Sequence, residues 1–329
     1  MYFSGWGVNR THDIFLGATA LAVAIAAGGA AGAETAKVRL AYVLSEAMLP
    51  ALYAEDKGYF DAEGIDMELI AVQGGPAAVA AVAAGEADLG YAAPMPPINA
   101  RIAGVPMISF LALTHEVDPD SKFTYLIASG ASGITTMDGV RGKKISFNAN
   151  GGGCDLAWRD HLRAAGMTID DVQVVVLPLP QQEAAMEQGS IDAACSFDPF
   201  FSSIMQNPAV GAQTIARGML AEQATPVIAD TVFADETWLA NNMALAQGFA
   251  RVLVRARTEL SGDRPALEAA AMAHMELSTD AAKTFKLPVV KEDISLTAED
   301  MKRVLDAMVA TGMQPGPLDP ATFSVTISY

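Results

Sequence analysis

The chain has 329 residues, half of them apolar, and carries 38 acidic against 21 basic side chains for a formal net charge of −17. Such an acidic chain is a poor partner for nucleic acid or for anionic membrane surfaces. Two cysteines, Cys154 and Cys195, are too few for a disulfide-stapled scaffold. Beyond the N-terminal region the histidines are His115, His161 and His274, too far apart in sequence to give metal-ligand spacing, so neither metal nor cofactor is expected.

The first elements concern targeting. Arg10 precedes an apolar run from Ile14 to Ile25, and small residues follow up to Ala31-Gly32-Ala33. This predicts a secretory signal peptide over 1–33, cut after Ala33, and an extracytoplasmic, periplasmic mature chain. The run is shorter than the ~20 apolar residues of a membrane span. No cysteine follows the cut, so no lipid anchor is expected. The remaining length fits about two domains of roughly 100–200 residues each.

Lys37 to Val43 alternates like a strand, and Leu49 to Lys57 is helix-prone. Met67 to Val72 is a second strand, after which Gln73-Gly74-Gly75-Pro76 opens an Ala-rich helix, with Pro76 suited to its first turn. Leu89 to Ala92 is a strand, a helix starts at Pro94-Met95-Pro96-Pro97, and Val105 to Thr114 and Phe123 to Ala128 are further strands. Alternating β and α elements predict parallel sheets with crossover helices.

Asp138 to Gly166 is the most informative stretch: a turn, the strand Lys144 to Phe147, the loop Asn148-Ala149-Asn150-Gly151-Gly152-Gly153, and a helix from Cys154. Cys154, Trp158, Leu162 and Ala165 fall on one helical face, and Gly166 is a natural stop. Helix-start N–H groups aimed out of a strand end can receive a ligand, anions above all. The structural reading is a tight strand-to-helix connection. Strands at Val172 to Leu177 and Ile191 to Ser196 flank a helix over Gln181 to Gln188. Pro76, Gly85 and Asp88 recur at one constant offset as Pro180, Gly189 and Asp192, predicting two similar units. Val227 to Phe233 is the last strand; helices follow at Glu236 to Leu260, Ala266 to Glu276, Thr279 to Phe285 and Ala298 to Thr311. Thr297 is the N-cap expected for the last. One lobe is therefore expected over 34–128 and 225–329, with C-terminal helices, and a second over 129–224. Two chain crossings join them, and the cleft between is the expected ligand site.

On these residues the chain resembles the periplasmic substrate-binding proteins of ABC importers, in the branch of nitrate, taurine, alkanesulfonate and thiamine-pyrimidine-precursor binders. The matching runs are Ala54-Glu55-Asp56-Lys57-Gly58-Tyr59-Phe60, Glu63-Gly64-Ile65, Gly74-Gly75-Pro76 and Ala83-Ala84-Gly85-Glu86-Ala87-Asp88. In the second lobe they are Gly142-Lys143-Lys144-Ile145, Asp170-Asp171-Val172, Gly189-Ser190-Ile191-Asp192-Ala193 and Asp198-Pro199-Phe200. The resemblance covers nearly the whole mature chain. It implies a two-lobed α/β type II periplasmic-binding-protein fold, each lobe a mixed, mostly parallel sheet flanked by helices. It also implies capture of a small polar organic ligand (sulfonate-, carboxylate- or pyrimidine-type) by a monomer, and delivery to a membrane permease.

Loops past strand ends in this fold supply the candidate ligand residues. In the first lobe these are Ser45, Glu46, Met48, Gly75, Ala93, Pro94, Thr114 and His115. In the second they are Asn148, Asn150, Gly152, Gly153, Cys154, Phe197 and Asp198. The glycine loop favours an anionic head, but Asp155 in the first helical turn opposes one. The loops carry Glu46, Glu116 and Asp198 and no Arg or Lys, which fits a ligand with a cationic, amine or ring N–H part; loop acids are otherwise simply solvated. Trp158 is read as core. Cys154 and Cys195 are open to two readings, a disulfide or a helix-start thiol nucleophile. An enzyme related to the thiamine-pyrimidine synthases or to a menaquinone-pathway lyase is the alternative. The first has clustered cysteines absent here, and the second is cytosolic whereas this chain has an export signal, so no enzymatic activity is expected.

Overall fold

The computed structural model describes residues 35–117, 121–222, 226–288 and 293–329. The expected signal peptide lies outside the described residues. Ten strands form two five-stranded sheets. The first holds β1 (Ala36–Tyr42), β2 (Ile65–Ala71), β3 (Leu89–Ala92) and β4 (Met107–Glu116). The second holds β5 (Tyr125–Ala128), β6 (Lys144–Phe147), β7 (Gln173–Val176), β8 (Ala193–Ser196) and β9 (Gln213–Arg217), and β10 (Val227–Asp235) returns to the first.

The two sheets share one plan. Their orders are β2-β1-β3-β10-β4 and β7-β6-β8-β5-β9. In each, three parallel strands are followed by an antiparallel fourth, β10 or β5. The chain leaves the first sheet from edge strand β4 and enters the second as β5; it leaves from edge strand β9 and returns as β10. Each lobe thus contains one strand delivered by a crossing.

The helices are α1 (Leu49–Asp56), α2 (Tyr59–Ala62), α3 (Gly75–Ala83) and α4 (Met95–Ile102) before the first crossing. α5 (Gly153–Ala164), α6 (Leu179–Glu187) and α7 (Phe200–Gln206) belong to the second sheet. α8 (Glu236–Asn241), α9 (Met243–Gly262), α10 (Arg264–His274), α11 (Thr279–Thr284) and α12 (Ala298–Ala310) close the chain. The helix expected over Glu236 to Leu260 is broken at Asn242, whose side-chain amide donates to the Trp238 carbonyl at 2.9 Å and ends α8. The short α7 and β9 carry too few residues to show a period, and neither is legible in the sequence. Thr297 and Asp300 cap α12 reciprocally, Asp300 N–H to Thr297 Oγ1 and Thr297 N–H to Asp300 Oδ2, so Asp serves where Glu is commoner.

The internal repeat has a physical basis. Asp88 accepts from the Arg39 N–H of β1 at 2.9 Å and returns its own N–H to the Arg39 carbonyl. Asp192 does the same with Lys144 of β6, at 2.8 Å. Gly85 and Gly189, with φ of 71° and 68°, make the left-handed turn out of the preceding helix that brings each Asp there. The repeated Gly and Asp are therefore strand-entry hardware, the repeated Pro sits in the first turn of a helix, and none of the three lines the cleft chamber described below.

The first lobe's core lies between its sheet and α1, α9 and α10, with Phe60 stacked on Phe249 at 5.7 Å. In the second, Trp158 of α5 is fully buried and donates to the Ser146 carbonyl at 3.0 Å, as its place on the apolar face predicts. A further cluster spans the lobes: Met301, Val304 and Met308 of α12 pack with Ile228 of β10 and Leu156 of α5.

Candidate functional site

The strand ends of both sheets converge on a chamber of about 60 Å³. Ser45 and Glu46 reach it from the turn after β1, Gly75 from the start of α3, Tyr91 and Ala93 from the end of β3, and Asp230 from β10. The second lobe supplies Asn148, Gly152, Gly153 and Cys154 from the glycine loop and Phe197 from the turn after β8; the crossings add Phe123 and Met219. A wider groove of about 760 Å³ shares Val43 and Asn148 with the chamber and runs outward between Glu183 and Ser202 on one side and His274 and Ser278 on the other.

Glycines line the junction because the lobes touch there. A Cβ on Gly74 would lie 3.1 Å from the Ala149 side chain, one on Gly153 3.1 Å from that of Ala93, and one on Gly151 2.8 Å from the Asn99 amide, each a residue of the other lobe. Asn99 Nδ2 also donates to the Gly151 carbonyl at 3.4 Å. Gly74 and Gly151 further need their positive φ of 102° and 70°. The loop read from sequence as an anion cradle is thus also a seat for the opposite lobe. Its anion-facing capacity is smaller than expected, since Gly151 donates its N–H to Asp155 at 2.8 Å and Asp155 pairs with Arg159 at 2.7 Å. That pairing offsets the repulsion expected from Asp155.

The chamber's charge is acidic. Glu46 is 3% exposed, and its Oε2 has no hydrogen-bond partner. Burial, and then the negative charges of Asp198 and Asp230, push its carboxyl well above the usual range. Asp230 lies deep in β10; burial raises its pKa, while donation from the Thr114 hydroxyl and from Tyr91 opposes the rise. Tyr91 itself, hydrogen-bonded to Ser45 at 2.7 Å, is pushed well up by burial and by Asp230. Asp198 accepts from the Ser202 N–H and hydroxyl at 3.0 and 2.7 Å and is raised by burial. Tyr125 is pushed to about 12 by burial and by the charge of Glu46.

Of the residues expected at the site, Ser45, Glu46, Gly75, Ala93, Asn148, Gly152, Gly153, Cys154 and Phe197 line the chamber. Asp198 stands beside it and acts on Glu46 through charge. Five others lie elsewhere. Met48 is in the first core, because the turn after β1 folds it inward. Pro94 is buried at the cap of α4. Asn150 is exposed. Strand alternation separates Thr114 from His115: Thr114 reaches Asp230 from behind the chamber, whereas the His115 ring turns to α12, 3.8 Å from Asp300. Glu116, counted among the loop acids, is also corrected, since its carboxylate is buried on backbone N–H groups of both crossings. Cys154 is bonded to Cys195 with Cα atoms 5.6 Å apart, which settles the two sequence readings for the disulfide. Asp230 was missed; its signal was a lone acid inside the apolar run Val227-Ile228-Ala229-Asp230-Thr231-Val232.

Two mixed sheets flanked by helices, joined by two crossings across a cleft, are the fold of the sulfonate- and nitrate-binding periplasmic proteins. The model of the NMT1-like family matches residues 31–275, and the chain belongs to that family. It is 30% identical over 131 residues to a putative aliphatic sulfonates-binding protein of Escherichia coli, covering 40% of each chain. It is 26% identical over 216 residues to a protein of the same description from Bacillus subtilis, covering 64% of this chain and 63% of that one. The chain thus spans less than two thirds of the length of these relatives. The alkanesulfonate-binding protein SsuA of Xanthomonas axonopodis pv. citri, bound to MOPS, superposes with a TM-score of 0.73 at 20% identity, over 89% of this chain and 99% of that one. A shorter match, 29% over 99 residues, covering 30% of this chain and 27% of the other, joins it to a 4-amino-5-hydroxymethyl-2-methylpyrimidine phosphate synthase of Schizosaccharomyces pombe.

Proposed function

We propose that this chain is an extracytoplasmic solute-binding protein, exported by the segment 1–33. A lobe formed by 34–128 and 225–329 and a lobe formed by 129–224 close on one small polar organic molecule and, as a monomer, deliver it to an ABC transporter permease. The observation that carries this reading is the convergence of polar groups from both lobes on one chamber, beside which Gly74, Gly151 and Gly153 closely approach the facing lobe. Relatives named for sulfonate binding support it.

Binding is favoured over catalysis because the one cysteine at the chamber is held in a disulfide and offers no thiolate. A thermal-shift screen of the mature protein against sulfonates, carboxylates and pyrimidines tests the proposal. A ligand at 100 times its dissociation constant stabilises by about 2.7 kcal/mol. A bound, unaltered solute is the expected result; chemical turnover of the solute establishes the enzyme reading instead.

A further inference from the structure

We infer that the chamber selects a cationic nitrogen ligand, an ammonium or amidinium group on a small organic molecule, and that this group rests on the Glu46 carboxylate. The inference deepens the solute-binding reading and depends on it. Glu46 is 3% exposed, lines the chamber, and presents an oxygen with no partner among the described residues. A buried carboxylate oxygen without a donor is costly, and a native protein leaves one only where something else satisfies it.

The surroundings decide the sign of that missing group. The charges acting on Glu46 are those of Asp230 on its own lobe and Asp198 on the other, and both are negative. Among the described residues no Lys or Arg lines the chamber. Lys122, on the first crossing, donates its ammonium to the Leu220 carbonyl at 3.0 Å. Arg217 is exposed and lies over the Tyr125 ring. Arg257 borders a different, largely apolar pocket behind Glu46. A small anion entering here meets Glu46 and Asp230 in the wall, Asp198 beside it, and no Lys or Arg among the described lining residues. Burial favours the neutral carboxyl of Glu46, and a cation seated on it stabilises the carboxylate form, with the aromatic side chains of Phe123, Phe197 and Tyr91 in the same wall.

The opposing feature is the start of α5, where Gly153 and Cys154 also line the chamber. A helix terminus favours an anion only modestly, and Asp155 with its Gly151 bond already occupies part of that field. Charge-assisted bonds to a buried carboxylate are the stronger interaction. The acids therefore set the sign, and the selectivity departs from that named for the sulfonate-binding relatives.

Calorimetric titration with matched probes tests this: propylammonium, propanesulfonate and 3-aminopropanesulfonate, and benzamidine against benzoate and benzenesulfonate. Nitrogen-bearing probes are expected to bind at least tenfold more tightly than their anionic counterparts. Glu46→Gln is expected to weaken them tenfold or more and to shrink that gap. Should Glu46→Gln fail to fold, Asp198→Asn, beside the chamber, is expected to narrow the same gap between cationic and anionic probes. Anions binding more tightly than cations overturns the inference while leaving the solute-binding reading intact. An affinity ratio unchanged by the substitution overturns it too, as does binding of none of the six probes. The turnover measurement judges the solute-binding reading separately.

Discussion

Glu116 ends β4 with its carboxylate turned into the protein, where it accepts from the N–H groups of Phe123 at 3.2 Å, Thr124 at 3.0 Å and Met219 at 2.6 Å. The first two donors belong to one crossing and the third to the other. Burial raises its pKa, and these bonds oppose the rise. Glu116→Ala strands three buried donors, each costing about 1–3 kcal/mol, so a loss of roughly 3 kcal/mol or more in urea unfolding is expected, and a smaller loss for Glu116→Gln, which keeps an acceptor. Glu46 shows the opposite balance, a carboxyl whose burial and like-charged neighbours outweigh its bonds. Its folded-state pKa exceeds the unfolded value, so the folded protein holds the proton longer, and this group's contribution to stability falls as pH rises from about 4.5 through the raised folded value. Glu46→Gln removes that penalty, so its stability relative to the parent chain should rise with pH between 4.5 and 7.5; a flat difference contradicts the shift. Sequence position alone placed Glu46, Glu116 and Asp198 together as loop acids. Their different fates depend on which way each carboxylate turns, and that is decided by packing partners a hundred residues away.

At the scale of elements, the repeat was the most legible signal. Helix, left-handed glycine and strand-entry Asp form a local unit whose residues read the same in both lobes. The copies are unequal in one respect: Asp88 also takes two bonds from the Arg39 guanidinium, whereas the Asp192 bond to Lys144 is exposed. Asp88→Ala should cost about 1–2 kcal/mol and Asp192→Ala about 0.5–1 kcal/mol in chemical denaturation. Equal losses contradict this account. The glycine loop was only half legible. Its strand-loop-helix form follows from the sequence, but the reason for its glycines is steric and lies in the other lobe, at Ala93, Asn99 and Ala149.

For the whole molecule, alternation of strands and helices with two crossings was enough to predict two lobes. The antiparallel members β5 and β10 were not readable as such, since strand direction is set by the crossings and not by residue type. The second crossing is tied to α5: Asp160 accepts from the Ala221 N–H at 2.8 Å and His161 Nε2 meets the Gly218 carbonyl at 2.8 Å, while Leu156 packs with α12. At the far end of the groove the lobes meet where Ser278 Oγ hydrogen-bonds Gln206 Oε1 at 3.2 Å.

If the lobes close on a solute as proposed, these contacts make the arrangement a lever with its fulcrum under the glycine loop. When the lobes rotate, residues near α5 sweep a short arc, and those at the mouth sweep a long one. Spin labels on Gln206 and Ser278 should therefore separate by several times the distance gained between labels on Asn99 and Asn150 when ligand leaves. Equal changes at both pairs contradict a pivot at α5. On the proposed solute-binding reading, a solute enters by the wide end and is sensed at the narrow one, where a small displacement decides whether the walls meet.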